Sequence, residues 1–317
     1  MEYRQLGRTN LSVSVLGLGS GGANRLGQAR AADRSETNKL VRHALDLGIN
    51  FFDTAPSYGD SESLLGEALV GVPRQSYVLG TKFTTRHGSA GAARASLEAS
   101  LRRLKTDYVD VVYFHGLAPE EYDVTLEKFL PELQQAQRDG LTRFIGATER
   151  YETDDAHEAL ERALTEDLFD VVMLGHNLIS PGGLRAVLPL ARQKNVGVVV
   201  MCAVRTIIVN PGMLRETIRQ WKDDGALPEE AVPDDAPLDW VLGPGVESLA
   251  DAAYRFAAES SAVSTVLTGT ANLAHLDDNV RSILAPPLPA ATSERLRNTF
   301  IPANKSVLLH SFRRRSL

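Results

Sequence analysis

Gly48-Ile49-Asn50-Phe51-Phe52-Asp53-Thr54-Ala55-Pro56-Ser57-Tyr58-Gly59 decides how the rest of the chain is read. It begins as a buried strand, with an apolar run that reaches Phe52. It then turns at once to an acid, a helix-disfavouring Ala-Pro step, a tyrosine and a glycine. An α/β barrel places acid–base groups in this way, at the C-terminal ends of apolar strands. Taken alone the same residues also describe a turn, so the other strand ends have to decide.

Upstream, Tyr3-Arg4-Gln5-Leu6 and Leu11-Ser12-Val13 flank Gly7-Arg8-Thr9-Asn10, which predicts a β-hairpin. Val15 to Ser20 reads as a first buried strand closing in glycines. Asp33 opens a helix with Leu40, Val41, Ala44, Leu45 and Leu47 on one face and Gly48 at its stop. The opening stretch is strand two. Downstream the alternation repeats: helix from Ser63 to Leu69, strand from Ser76 to Lys82, helix from Ala92 to Leu104, strand from Tyr108 to His115. Leu126 to Asp139 is helical, Thr142 to Thr148 is strand five, and Asp154 to Leu164 is its helix. Phe169 to Leu174 is strand six, Leu184 to Lys194 a helix, and Gly197 to Cys202 strand seven.

The rhythm breaks from Arg205 to about Gly245, in an insertion with a helical piece at Gly212 to Trp221 and an acidic, Pro-rich segment around Pro228 to Pro237. Long irregular segments of this kind are usually lids, binding loops or disorder. Trp221 and Trp240 would then belong to a lid or a subunit contact, and the acidic run to a solvated face. Helix at Ser248 to Ala258, strand eight at Ser264 to Thr270 and helices from Leu273 and Ser293 complete the chain. Eight apolar strands separated by helices predict an α/β fold, a (β/α)8 TIM barrel with an N-terminal β-hairpin and a long insertion after strand seven, as one domain over 1–317. Runs such as Val198 to Met201 suit a parallel sheet covered on both faces. Gly17-Leu18-Gly19-Ser20-Gly21-Gly22 comes nearest to a dinucleotide fingerprint, but the helix starts too far downstream of it.

With 317 residues, 43% hydrophobic and 23% charged, the chain can bury a sizeable core, and its net charge of −6 gives no basic footprint for nucleic acid. Arg313-Arg314-Arg315 reads as a solvated end. The single cysteine, Cys202, excludes an internal disulfide and fits a reducing compartment. The N-terminus is polar and no apolar run reaches membrane-spanning length, so the expectation is a cytoplasmic protein with neither membrane nor nucleic-acid partners.

Four polar residues fall at successive strand ends: Asp53 and Tyr58 after strand two, Lys82 after strand three and His115 after strand four. Each has a plain reading, as a turn cap, a packed loop ring, a solvated strand end or a satisfied interior histidine. Together on one barrel face they point to function. A tyrosine hydroxyl ionises near pH 10, and an adjacent ammonium favours the phenolate, so Lys82 is expected to lower the pKa of Tyr58. Asp53 would hold Lys82, and His115 would orient a carbonyl oxygen. Such a set protonates a carbonyl while a hydride arrives at carbon, and the hydride has to come from a cofactor.

On these residues the chain resembles the aldo/keto reductase family over nearly its whole length. Phe51 to Gly59 with Ser61-Glu62-Ser63-Leu64-Leu65-Gly66-Glu67-Ala68-Leu69, Gly80-Thr81-Lys82, Ser100 to Asp110 running to His115, Phe144-Ile145-Gly146, and Leu267 to Thr270 through His275-Leu276 to Asn279 carry the likeness in order. The resemblance implies an NAD(P)-dependent oxidoreductase acting on a small aldehyde, ketone, alcohol or sugar, with Asp53, Tyr58, Lys82 and His115 as its tetrad and Tyr58 as general acid or base. It implies no metal. It places the cofactor along Gly19, Thr148, Asn177, Met201, Cys202, Gly269, Thr270, Asn272, His275 and Asn279.

The departures are Thr148-Glu149 where many members have Ser-Asn, Met173 for a glutamine, and Met201 or Cys202 for an aromatic stacked on nicotinamide. No Lys or Arg follows strand eight to pair with the extra phosphate of NADP, and Asp277 and Asp278 are close, so the expectation leans to NAD or use of both, unless Arg205 reaches across. His176 reads equally as pocket lining or packing, His87 as a solvent-exposed loop residue, and Cys202 as a small packed residue. Two other function classes compete: a cofactor-sensing subunit without catalysis, and a metal-dependent barrel hydrolase built on Asp53 and His115. The first does not require all four tetrad groups, and the second lacks a clustered ligand set on the early strands.

Overall fold

A computed structural model describes residues 1–22, 25–30, 33–84 and 88–305. His87 and Arg313 to Arg315 lie outside them. A short antiparallel hairpin, β1 (Tyr3–Gln5) and β2 (Ser12–Ser14), precedes the barrel. The barrel strands are β3 (Leu16–Gly19), β4 (Phe51–Asp53), β5 (Val78–Thr84) and β6 (Val109–Leu117). They continue with β7 (Thr142–Glu149), β8 (Val171–Gly175), β9 (Gly197–Met201) and β10 (Thr265–Thr268). All pair in parallel in sequence order, and β10 closes on β3 through Val266 opposite Leu16 and Thr268 opposite Leu18. The eight-stranded parallel barrel expected from the alternation is what forms.

Helices α1 (Arg34–Asp46), α2 (Ser61–Ala68), α3 (Ala92–Leu104), α4 (Tyr122–Arg138), α5 (Glu158–Thr165) and α6 (Val187–Lys194) connect the strands on the outside. Asp33 caps α1 by accepting from the Ser35 N–H, as the Asp-Arg-Ser-Glu opening suggested. α5 begins four residues later than its apolar pattern, because Asp154 caps it from a distance, accepting from the N–H groups of Glu158 and Ala159.

The barrel interior follows from strand alternation, since successive side chains face opposite sides. Phe51, Val78 and Val111 pack inside with Tyr113, Met173 and Val199, while Leu6, Leu11 and Val13 of the hairpin segment plug the N-terminal end. Phe52, Leu79, Val112 and Phe114 point outward into the larger core under the helices. Two residues beyond each inward residue the chain faces inward again. Phe51 is followed by Asp53, Gly80 by Lys82, and Tyr113 by His115, so an apolar period of two lifts three polar groups onto the same rim.

The insertion departs from a loose loop. It contains α7 (Thr206–Val209) and α8 (Pro211–Asp223), and it builds a second apolar cluster with α9 (Leu249–Ala258) and the final helix. α10 (Leu273–Leu284) and α11 (Ala290–Phe300) complete the chain of helices. Ile207, Ile208, Leu214, Ile218, Trp221 and Leu227 bury against Phe256, Leu296 and Phe300. The acidic run is not wholly a solvated face: the buried Lys222 ammonium donates to Asp234 at 2.5 Å and to the Val232 carbonyl at 2.8 Å. Among the described residues no helix is long and apolar enough to cross a membrane.

Candidate active site

Lys82 is held by three acceptors at the bottom of the barrel mouth. Its Nζ donates to both Asp53 carboxylate oxygens at 2.6 Å and to the Thr54 carbonyl at 2.8 Å, and both side chains are buried. Burial opposes the charge on Lys82, but Asp53 and Tyr58 together outweigh it, and the ammonium's pKa stands above its ordinary value. The Tyr58 ring lies over this ammonium, 4.9 Å from Nζ to the ring centroid. The Tyr58 hydroxyl is 3.5 Å from His115 Nε2, the two rings meet edge to face at 5.6 Å between centroids, and Ser57 Oγ stands 3.5 Å from His115 Nδ1. All four residues singled out at the strand ends therefore come together.

The electrostatics differ from expectation at Tyr58. Its pKa is raised above the usual phenol value: burial raises it most, Lys82 lowers it by less, and Asp53 adds to the rise. Lys82 favours the phenolate as expected, but desolvation and the Asp53 carboxylate behind it together outweigh that pull.

Several residues fix this constellation without announcing themselves in the sequence. A Cβ on Gly21 would lie 2.6 Å from Tyr58 Cε2, so only glycine lets the ring take its place. Gln28 bridges the loops: its Oε1 accepts from the Asp60 N–H at 2.9 Å, and its Nε2 donates to Ser61 Oγ at 2.8 Å. Ser61 Oγ in turn donates to the Ser20 carbonyl at 2.9 Å. Glu62, buried on α2, accepts from Thr81 Oγ1 on β5 and from Arg103 Nε on α3, both at 2.6 Å, which seats the segment after Tyr58 against the barrel. These partners sit far apart in sequence, and no local pattern pairs them.

The expected cofactor residues fall in different places, Thr148 among them at the end of β7, where its Oγ1 accepts from the Gly116 N–H at 2.7 Å. Gly269, Thr270, Asn272 and His275 surround the N-terminus of α10, where Asn272 accepts from the His275 N–H and Thr270 Oγ1 from the Asn272 N–H. Gly269, Asn272 and His275 are exposed, and an open helix N-terminus of this kind suits the phosphate half of a dinucleotide. Asn279 Nδ2 donates to Thr268 Oγ1 at 2.8 Å, tying α10 to the barrel, while Gly19 is buried at the end of β3. Met201 ends β9 at the rim and Cys202 follows it, where Arg205 Nη1 donates to Cys202 Sγ at 3.1 Å; burial raises the pKa of this thiol.

Asn177 sits deeper than the other expected cofactor residues. It is fully buried, its amide donates to Tyr151 OH and the Cys202 carbonyl, and its Oδ1 accepts from the N–H groups of Ile179 and Ser180. A carboxamide has two N–H donors and one acceptor oxygen, and this turn uses all of them. Glu149 is likewise turned away from the mouth: it accepts from the Gly175 N–H and faces His157 Nδ1, both at 2.7 Å. Met173 packs in the barrel interior, and His176 stacks on Phe256 at 5.3 Å. Burial drives the His176 pKa down to about 3, so the ring packs as neutral imidazole. Asp277 lies 2.6 Å from His43 Nε2 and Asp278 pairs with Arg281 at 2.9 Å, so neither carboxylate stands unpaired against a phosphate.

The aldo/keto reductase family model matches residues 16–299. The chain belongs to the aldo/keto reductase family. It is 30% identical over 292 residues to an L-galactose dehydrogenase of Arabidopsis thaliana, covering 89% of this chain and 88% of that protein. It is 26% identical over 309 residues to a D-threo-aldose 1-dehydrogenase of a Pseudomonas species, covering 84% and 89%. Among solved structures it superposes on a putative aldo-keto reductase of Pseudomonas aeruginosa with a TM-score of 0.64 and 27% identity, over 93% of this chain and 95% of that one. It shares its fold with the holo form of an aldo-keto reductase of Bacillus halodurans, with a TM-score of 0.71 at 23% identity, over 98% and 99%. Aldo-keto reductases are oxidoreductases that use nicotinamide cofactors, and Asp53, Tyr58, Lys82 and His115 meet at the rim of this barrel.

Proposed function

We propose that this aldo-keto reductase moves hydride between a nicotinamide dinucleotide and the carbonyl or alcohol carbon of a small polar substrate, with the hemiacetal carbon of aldoses as the leading class. The observation that carries the reading is the Asp53–Lys82 pair lying directly under the Tyr58 ring, with His115 beside the hydroxyl. The sugar class rests on the names of the two dehydrogenases that match over most of the chain.

In reduction, Tyr58 donates its proton to the developing alkoxide oxygen, and its raised pKa keeps that proton available at neutral pH. Once the proton leaves, Lys82 stabilises the phenolate through space, and Asp53 with the Thr54 carbonyl keeps the ammonium in place. His115 directs the substrate oxygen toward Tyr58. In oxidation the phenolate accepts the proton that it gave. When bound, the nicotinamide supplies or takes the hydride. Gly269, Thr270, Asn272 and His275 would hold its phosphates, and Met201 and Cys202 would flank its ring. With Asp278 paired to Arg281 and Asp277 hydrogen-bonded to His43, the electrostatic bar to NADP is reduced at Asp278, and we expect both dinucleotides to bind.

The test is a panel of aldoses, aldehydes and ketones with NAD and NADP in both directions, run beside Tyr58→Phe. Loss of about two to four orders of magnitude in kcat, with nicotinamide fluorescence still reporting binding, is expected for that variant. Turnover at the wild-type rate would remove Tyr58 as the proton carrier.

A further inference from the structure

We propose that Thr148 is a positioning residue for His115, holding the backbone that carries the imidazole. The inference rests on the role given to His115 above. It begins with the β6–β7 ladder, which pairs Phe114 with Ala147 and resumes with Leu117 opposite Glu149. Three steps along β6 match two along β7, so one extra residue is accommodated at His115-Gly116, a β-bulge on the strand that delivers the imidazole.

Gly116 takes the bulge with φ of 72°, in the left-handed region, although a Cβ there would meet nothing within 4 Å. The glycine is therefore required by the backbone conformation and not by lack of space. A bulged N–H drops out of the ladder and needs another acceptor. Thr148 Oγ1 supplies it, accepting from the Gly116 N–H at 2.7 Å.

Thr148 is a fixed post for this purpose. It is buried, it pairs in register with Met173 on β8, and the residues on either side are themselves tied down, Ala147 opposite Phe114 and Glu149 on the Gly175 N–H. The imidazole meets the Tyr58 hydroxyl and Ser57 Oγ at 3.5 Å each, and the position of its Cα, one residue before the bulged Gly116, sets where the ring starts from. A serine or threonine hydroxyl at this strand end thus sets where His115 meets Tyr58.

Thr148→Val keeps the shape and removes the acceptor, and Thr148→Ser keeps the acceptor. The expected result is a fall in kcat at saturating cofactor of about ten- to a hundredfold in the valine variant, as for a small misplacement of a reacting group, with the serine variant restored. Thr148→Ala replaces the valine variant if that does not fold. On a His115→Gln background, removing the Thr148 hydroxyl should cause no further loss. Ring 15N signals of His115 should shift in Thr148→Val and return in Thr148→Ser. Weakened cofactor binding with kcat intact at saturation overturns the inference, as do unmoved His115 signals. If His115→Gln alone leaves kcat unchanged, the role of His115 fails, while the ring signals still decide whether Thr148 positions it.

Discussion

Replacing Gly21 by alanine should disable the enzyme while leaving it folded. The new Cβ would sit 2.6 Å from Tyr58 Cε2, 2.7 Å from Cζ and 3.1 Å from Cδ2. Carbon atoms pack at about 3.5–4.0 Å, so the ring has to retreat by roughly 1 Å. Tyr58 cannot retreat without leaving the Lys82 ammonium below it or the His115 nitrogen beside its hydroxyl. A displacement of this size at a reacting group costs about a hundredfold in rate, or roughly 2.7 kcal/mol of barrier. Gly21 is not among the residues with positive φ, so alanine fits its backbone, and the change restricts the unfolded chain by about 0.4–1 kcal/mol, which offsets part of the steric cost. The assay is kcat for the best substrate found, with the thermal midpoint and cofactor Kd measured on the same preparation. We expect kcat down about a hundredfold with midpoint and Kd near wild type. Full activity would refute the packing argument, and activity lost only in step with the thermal midpoint would reduce Gly21 to a folding residue.

Two further outcomes concern protons. Because burial holds the Tyr58 pKa above that of an ordinary phenol, the protonated form needed for reduction persists through neutral pH, whereas the phenolate needed for oxidation grows about tenfold per pH unit below that pKa. Rates at saturating substrate should therefore stay flat for reduction and climb for oxidation between pH 6 and pH 9, roughly the range below an unperturbed phenol pKa. An oxidation rate that falls over this range would contradict the assignment. His176 titrates near pH 3 in the fold, below its unfolded value, so the unfolded chain binds the extra proton. The stability it contributes is fully present above about pH 6.5 and is lost by roughly 1.4 kcal/mol per pH unit as pH falls toward 3. His176→Phe keeps a ring against Phe256 and removes a buried Nδ1 that has no hydrogen-bond partner, so its acid-unfolding midpoint should move to lower pH. An unchanged midpoint would show that acid sensitivity arises elsewhere.

The eight-stranded alternation, the hairpin and the gathering of Asp53, Lys82 and His115 were legible because they depend on local rules. A strand reverses its side-chain direction every residue, so polar groups two positions beyond inward apolar residues must reach the rim together. Helix stops and caps such as Asp33 and Gly48 act within a turn of where they stand.

What only the tertiary structure decided are relations between residues remote in sequence. The packing of Gly21 on Tyr58, the bulge that joins Gly116 to Thr148, and the clamp of Glu62 between Thr81 and Arg103 each depend on loops and strands meeting in space. The partners of Asn177, the Cys202 carbonyl and the Ile179 N–H, are likewise set by how its turn meets the end of β9. The insertion, irregular in pattern, found a core through Phe256 and Phe300 on helices far along the chain. At Tyr58 the sequence supplied the ammonium that lowers a pKa, and the fold supplied the burial and the Asp53 carboxylate that raise it. Periodicity can be read along a chain, whereas desolvation depends on everything packed around a group.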